Sequence, residues 1–229
     1  MLFEKSLVNY YSKYYTIFWP LGADSFVARA ANAGRIWEKP IVELFSEFVE
    51  NGDTVLDVGS YIGSHAIPLS QLVGTSGRVF LFEPCADAYK CLIETQIYNN
   101  IDNWLIYKKA IYNCHTTLDF TTNNDGQSFI KSARPLKKHF NLNYGVDTMT
   151  IDSLDLIECK FIKIDTEGAE WHVVDGAAET IKRCRPHIII ESFKSSKNQK
   201  RLIEFCHIYN YDMRYLSSAN YYLRPNTET

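Results

Sequence analysis

A chain of 229 residues with 46% hydrophobic content is long enough to bury one full core, and residues 1–229 read as a single domain. A net charge of -3 and a pI near 6.1 remove the electrostatic case for a nucleic-acid partner. The apolar patches near the N-terminus are broken by tyrosines, lysines and Glu4, so no membrane span or signal peptide is expected and the protein reads as cytoplasmic.

Residues 1–40, rich in Tyr, Phe and Trp, precede any regular alternation and are expected to form a helical cap over a core spanning 41–229. From Asp53 strand-like and helix-like patterns alternate. "DTVLDVG" (53–59) is a short apolar strand closed by glycine. "SHAIPLSQLV" (64–73) reads as a helix in which Pro68 should introduce a kink or cost about 3 kcal/mol. "GRVFLFEP" (77–84) is a β-branched and aromatic strand closed by proline. In "CADAYKCLIETQIYNN" (85–100), Ala88, Cys91, Leu92 and Thr95 share one helical face, and Asn99–Asn100 end it. "WLIYKKAIY" (104–112) reads as one further strand.

Residues 113–149 are less regular. "TTLDFTT" (116–122) alternates as a strand and "TNNDGQS" (122–128) has loop composition. "RPLKKHF" (134–140) is a basic island, either a solvated loop or a contact for an anionic substrate. "FIKID" (161–165) resumes the apolar strand pattern, and "GAEWHVVDGAAETIKRC" (168–184) is a helical stretch divided at Gly176. "HIIIESF" (187–193) is a buried strand, and "KNQKRLIEFCHIY" (197–209) an amphipathic helix. "DMRYLSSANYYLRP" (212–225) gives two strands joined by a Ser-Ser-Ala-Asn turn. Continuous apolar strands alternating with helices imply an α/β three-layer sandwich around a parallel sheet, with at least one antiparallel edge strand from the closing hairpin. The six cysteines include no C-x-x-C pair and read as free thiols.

In such a sheet, ligands collect beyond the carboxyl ends of the strands. Asp57, Gly59, Glu83, Ala110, Asp165 and Glu191 occupy those ends. In "VLDVGSYIG", Gly59 and Gly63 bracket Ser60 and Tyr61, a turn that permits positive φ and close approach of a ligand. Glu83, followed by Pro84, ends the next strand, where a carboxylate can accept hydrogen bonds from a ribose. Tyr61 stands where the dinucleotide fingerprint G-x-G-x-x-G has its second glycine, so a pyrophosphate would be crowded. S-adenosylmethionine (SAM) therefore fits better than NAD.

Asp165 is a carboxylate closing an apolar strand, which calls for a partner or an active-site task; Glu191 follows the same logic. Glu167 and Glu170 begin the next helix, where its dipole favours acids, although Glu167 also lies beside Asp165. His65 and His172 are secondary catalytic candidates, each with a plainer role covering the cofactor or the helix surface. A divalent ion held by Asp165 and another carboxylate stays open, without a ligand cluster to establish it.

The segments "VLDVGSYIG", "GRVFLFEP", "TIDSL", "FIKIDTEGAEWHVVDG" and "HIIIES", in that order, resemble the FkbM-type SAM-dependent methyltransferases of the class I methyltransferase fold, over about Trp37 to Pro225. Thr166 stands where that family more often has valine. The resemblance implies a Rossmann-like, mostly parallel seven-stranded sheet of order 3-2-1-4-5-7-6 with strand 7 antiparallel. It implies SAM as cofactor, with Asp57, Gly59, Ser60, Tyr61 and Gly63 in its loop and Glu83 and Pro84 at the ribose. Ala110 would lie against the adenine, with Asp165 and Glu167 close to the transferred methyl group.

Family members methylate hydroxyls of sugars and polyketides. The expected activity is thus O-methylation of a sugar or glycan, a 6-deoxyhexose such as rhamnose or fucose first, with a small-molecule hydroxyl as the alternative. An NAD-dependent oxidoreductase is disfavoured by Tyr61 and the terminal hairpin. A nucleic-acid or amide methyltransferase lacks its [DN]-P-P-[YFW] motif after "FIKI", and a non-catalytic SAM-binding module is a third rival. Tyr10, Tyr11, Tyr14, Tyr15, Trp19 and Trp37 offer faces for a sugar ring or simply pack a cap.

Overall fold

The structure, a computed structural model, describes residues 2–123, 128–130 and 140–226. The segment expected to be a helical cap opens instead as an antiparallel hairpin of β1 (Phe3–Tyr10) and β2 (Lys13–Pro20). "KYYTIFWP" is aromatic and β-branched, a composition that suits a half-buried pleated surface better than a helix. Only then do helices α1 (Phe26–Asn32) and α2 (Lys39–Phe45) follow.

The central sheet contains β3 (Thr54–Val58), β4 (Arg78–Phe82) and β5 (Trp104–Tyr107), linked through α3 (Ala66–Val73) and α4 (Ala86–Asn99). Pro68 does not kink α3. The helix starts at Ala66, so Pro68 sits in the first turn, where a backbone N–H has no intrahelical acceptor. In α4 the buried residues are Ala88, Cys91, Leu92 and Thr95, and Asn100 ends it in the left-handed conformation. Asn99 grips β2: its Oδ1 accepts from the Thr16 N–H at 2.9 Å and its Nδ2 donates to the Thr16 carbonyl at 2.7 Å.

"WLIYKKAIY" is not one strand. The apolar run breaks at Lys108–Lys109, and β6 (Ala110–Ile111) leaves the central sheet for a second one. Among the described residues that sheet has four strands in the order β6-β9-β7-β8, with β7 (Thr117–Asn123), β8 (Ser128–Ile130) and β9 (Phe140–Met149). Most of the predicted "NNDGQS" loop, 124–127, and of the basic island, 134–139, lies outside the described residues.

The chain returns to the central sheet with β10 (Phe161–Ile164). The predicted division at Gly176 separates α5 (Glu170–Asp175) from α6 (Ala178–Cys184). Next come β11 (His187–Glu191), α7 (Ser196–Tyr209), β12 (Tyr211–Tyr215) and β13 (Asn220–Pro225). The sheet runs β12-β13-β11-β10-β3-β4-β5, which in chain order of its own seven strands is 3-2-1-4-5-7-6. β13 is antiparallel to both of its neighbours, while β11, β10, β3, β4 and β5 pair in parallel.

Strand alternation gives the sheet two apolar faces. Val55, Val79, Leu81, Phe161 and Ile189 pack in one cluster with the hairpin, α2, α3 and α4. Leu56, Val58, Ile162, Ile164, Ile188 and Ile190 pack in the other with α5, α6 and α7. Among the described residues, no helix is long and apolar enough to cross a membrane.

Candidate active site

The side chains on the hairpin face change character in their last row. Val55 is followed two residues on by Asp57, Leu81 by Glu83, Phe161 by Lys163 and then Asp165, and Ile189 by Glu191. Period-two alternation sends all of these to one face at the carboxyl end of the sheet. There they meet the segment between β2 and α2. A cavity of about 460 Å³ opens at this junction, lined by Ser25, Phe26, Trp37 and Glu38 on one side and by Gly59, Tyr61, Glu83, Asp165, Glu167 and Glu191 on another. Pro84, Ala110, Ile111, Phe120 and Phe193 also line it.

Glu83 is clamped in place. Its Oε2 accepts from the Tyr61 N–H at 2.8 Å and its Oε1 from the Cys85 N–H at 2.7 Å. Burial raises its pKa to about 7, against the pull of these two donors. The Gly59 and Ser60 N–H groups donate to the Phe82 carbonyl, and that of Gly63 to Ser60. The N–H groups of Gly59, Ser60, Tyr61 and Gly63 are therefore already engaged.

Gly59 carries a φ of +86°, and a Cβ added there would lie 1.8 Å from the Asp165 carbonyl oxygen. The close approach that requires glycine is thus to the β10–α5 loop. Gly63, at φ +87°, instead packs beneath Leu92 and Trp104 and does not line the cavity. Tyr61 takes a left-handed φ of 47°, and its hydroxyl donates to Ser25 Oγ at 3.1 Å, joining the turn to the start of α1.

Asp165 ends β10 with Oδ2 held at 3.0 Å by Lys163 Nζ. The loop after it is braced by Glu170, whose Oε1 accepts from the Thr166 and Gly168 N–H groups at 3.1 and 2.8 Å. Glu170 is therefore a scaffold acid. Glu191 stands apart electrostatically: burial first, then the charges of Asp165, Glu167 and Glu170, push its pKa up to about 9.

The remaining sequence candidates lie off the cavity. Asp57 is buried behind it, both carboxylate oxygens lacking a hydrogen-bond partner, and burial raises its pKa while Lys163 and His65 oppose the rise. Ser60 Oγ donates to the Asp57 carbonyl at 2.7 Å and ties the turn together. His65 is buried with its Nε2 3.3 Å from Glu38 Oε2. His172 is moved out of the site altogether: its ring stacks on Tyr112 at 4.3 Å, because α5 turns that face away from the cavity lining. Of the six aromatic residues proposed near the N-terminus, Trp37 lines the cavity, whereas Tyr10, Tyr15 and Trp19 are core residues.

Sequence reading missed Lys163, Glu38 and Phe26. A lysine inside "FIKI" was the available signal, since its parity matches Asp57 on the neighbouring strand. Among the described residues no group of three or more His, Cys, Asp or Glu is arranged to hold a metal ion.

Together the sheet order, the glycine turn after its first strand and the acid after its second define the class I SAM-dependent methyltransferase fold. The family described as methyltransferase FkbM domain matches residues 57–221, and the chain belongs to that family. Among solved structures, an FkbM methyltransferase from Methylobacillus flagellatus KT is 16% identical over 80% of this chain and 50% of its own, with a TM-score of 0.57. A T. thermophilus 16S rRNA N2 G1207 methyltransferase, in complex with AdoMet and guanosine, is 14% identical over 99% of this chain and 51% of its own, also with a TM-score of 0.57. The chain spans about half the length of each, and at these identities the likeness is one of fold. Comparison with curated proteins finds no match.

Proposed function

We propose that this protein transfers a methyl group from SAM to a hydroxyl of a sugar or glycan, with Asp165 as the base on the acceptor side. The observation that carries this reading is the acidic rim: Asp165, Glu167 and Glu191 line the same cavity as the Gly59–Tyr61 turn and Glu83. When bound, SAM supplies an electrophilic methyl group on a cationic sulfur. Glu83, whose position is fixed by its two backbone donors, would accept from the ribose hydroxyls, with Pro84 and Ala110 along the base. The engaged N–H groups of Gly59, Ser60, Tyr61 and Gly63, with the Tyr61 side chain between the glycines, weigh against recognition through a pyrophosphate, and hence against the dinucleotide alternative.

A sugar hydroxyl is a weak nucleophile at neutral pH and must lose its proton as the new C–O bond forms. Lys163 occupies Asp165 Oδ2, which fixes the carboxylate and leaves its other oxygen for that proton. Glu191, near 9, is protonated at neutral pH, so its carboxyl O–H orients an acceptor rather than deprotonating it. The buried His65 faces Glu38 and organises the wall without reaching the cavity. On the opposite wall Phe26 and Trp37 stack with ring centroids 6.2 Å apart, a flat apolar surface suited to one face of a sugar ring.

The test is an acceptor screen with labelled SAM over free sugars including rhamnose and fucose, nucleotide sugars and glycans, with and without chelator. Asp165→Asn should lower turnover by about 100-fold or more while leaving SAM affinity by calorimetry unchanged. Full turnover in that variant removes the base assignment.

A further inference from the structure

Among the described residues Lys163 is the only buried lysine or arginine, 1% exposed in mid-strand between Ile162 and Ile164. Burying an ammonium ion is unfavourable by several kcal/mol unless close partners compensate it. Here the partners come from three different elements. Asp165, just past the end of β10, accepts its hydrogen bond at 3.0 Å. Asp57 is its register partner on β3, so the two side chains share one face. Glu38, in the left-handed conformation just before α2, lowers the energy of the charged form. His65, at the start of α3, is held against Glu38, and Glu83, Glu167 and Glu170 are further titratable groups that interact with Asp57, Asp165 or Glu191.

Glu38 is anchored in turn: its Oε1 accepts from Asn220 Nδ2 at 3.0 Å at the start of β13. The buried ammonium therefore stands where the cofactor turn, the acceptor-side carboxylate and the N-terminal wall of the cavity converge.

We propose that Lys163 is a positioning residue for methyl transfer, a protonated ammonium that fixes the Asp165 carboxylate and couples it to Asp57 behind the cofactor turn and to Glu38 in the facing wall. Its role in the reaction rests on Asp165 serving as the base. The attraction of the surrounding carboxylates outweighs burial and holds Lys163 above the ordinary lysine range, so it carries its proton throughout and acts as no base itself. Removing the cation leaves Asp57 facing Asp165 without compensation, which favours the protonated form of Asp57.

The experiment uses Lys163→Met, with carboxyl carbon NMR titration of the free protein, calorimetry with SAM, and turnover on the best acceptor of the screen. The Asp57 titration midpoint, which Lys163 holds down against burial, should move further up by about one pH unit or more. Turnover should fall by about 100-fold, while SAM affinity changes by less than about threefold. An unmoved Asp57 midpoint overturns the pairing. Full turnover in Asp165→Asn overturns the base assignment and with it the role of Lys163 in the reaction, while the titration still reports on the pairing. If Lys163→Met does not fold, nitrogen NMR of the Lys163 ammonium in the unmodified protein decides. A coupling through the hydrogen bond to the Asp165 carboxyl carbon is expected, and a proton lost below about pH 9 overturns the proposal.

Discussion

Gly59→Ala is the most direct challenge to the geometry of the site. Two independent effects add. The backbone there has φ +86°, a region in which an L-residue is destabilised by about 1–2 kcal/mol. The new methyl group would also lie 1.8 Å from the Asp165 carbonyl oxygen, against an ordinary contact of 3.4 Å or more. The β10–α5 loop must then retreat by about 1.5 Å, an overpacking that adds roughly 1–3 kcal/mol. The expected loss of stability is about 2–5 kcal/mol in urea unfolding, and a shift of this size at Asp165 should lower turnover by about 100-fold. Gly22→Ala is the internal control, since Gly22 has a φ of +78° and nothing within 4 Å of its added Cβ. It should lose only the conformational part. A Gly59→Ala protein no less stable than Gly22→Ala, with normal turnover, refutes the reasoning.

Because Glu191 is raised to about 9 in the folded protein, it binds a proton there that the unfolded chain has released, and its contribution to stability is lost as pH rises from the ordinary glutamate range through about 9. Glu191→Gln should flatten this fall in thermal melts taken from pH 5 to 9. His172→Ala should lose about 0.5–1.5 kcal/mol of stacking on Tyr112 and keep its turnover; a deep loss of activity would return His172 to the site.

The central sheet was legible because its strands are short apolar runs punctuated by glycine, proline and asparagine, and the closing hairpin announced its own antiparallel pairing. The N-terminal forty residues were not. Aromatic density marks burial but fixes no period, and the strand character of "KYYTIFWP" is realised through contacts such as that of Asn99 with Thr16, far apart in sequence. "WLIYKKAIY" failed differently, since two lysines were enough to divide one apolar run between two sheets. At the site, strand-end logic placed Asp165, Glu83 and Glu191 on the cavity. The same logic overlooked Lys163, because it examined the residue that ends each strand and not the row before it. His172 was misplaced because sequence spacing gives its distance from Asp165 along the chain but not the direction in which α5 turns.

The charged last row of the hairpin face also guards the alignment of the sheet. Sliding β10 by one residue against β3 would exchange its two faces. Lys163 would then leave Asp57 and enter the apolar layer of Leu56, Ile188 and Val173, carrying only Asp165 with it. Ile162 and Ile164 would take its place among the carboxylates. A slip that an all-apolar strand would tolerate is made severely unfavourable, so the residues assembled for chemistry at the cavity also specify which of two near-equivalent sheets the chain can form.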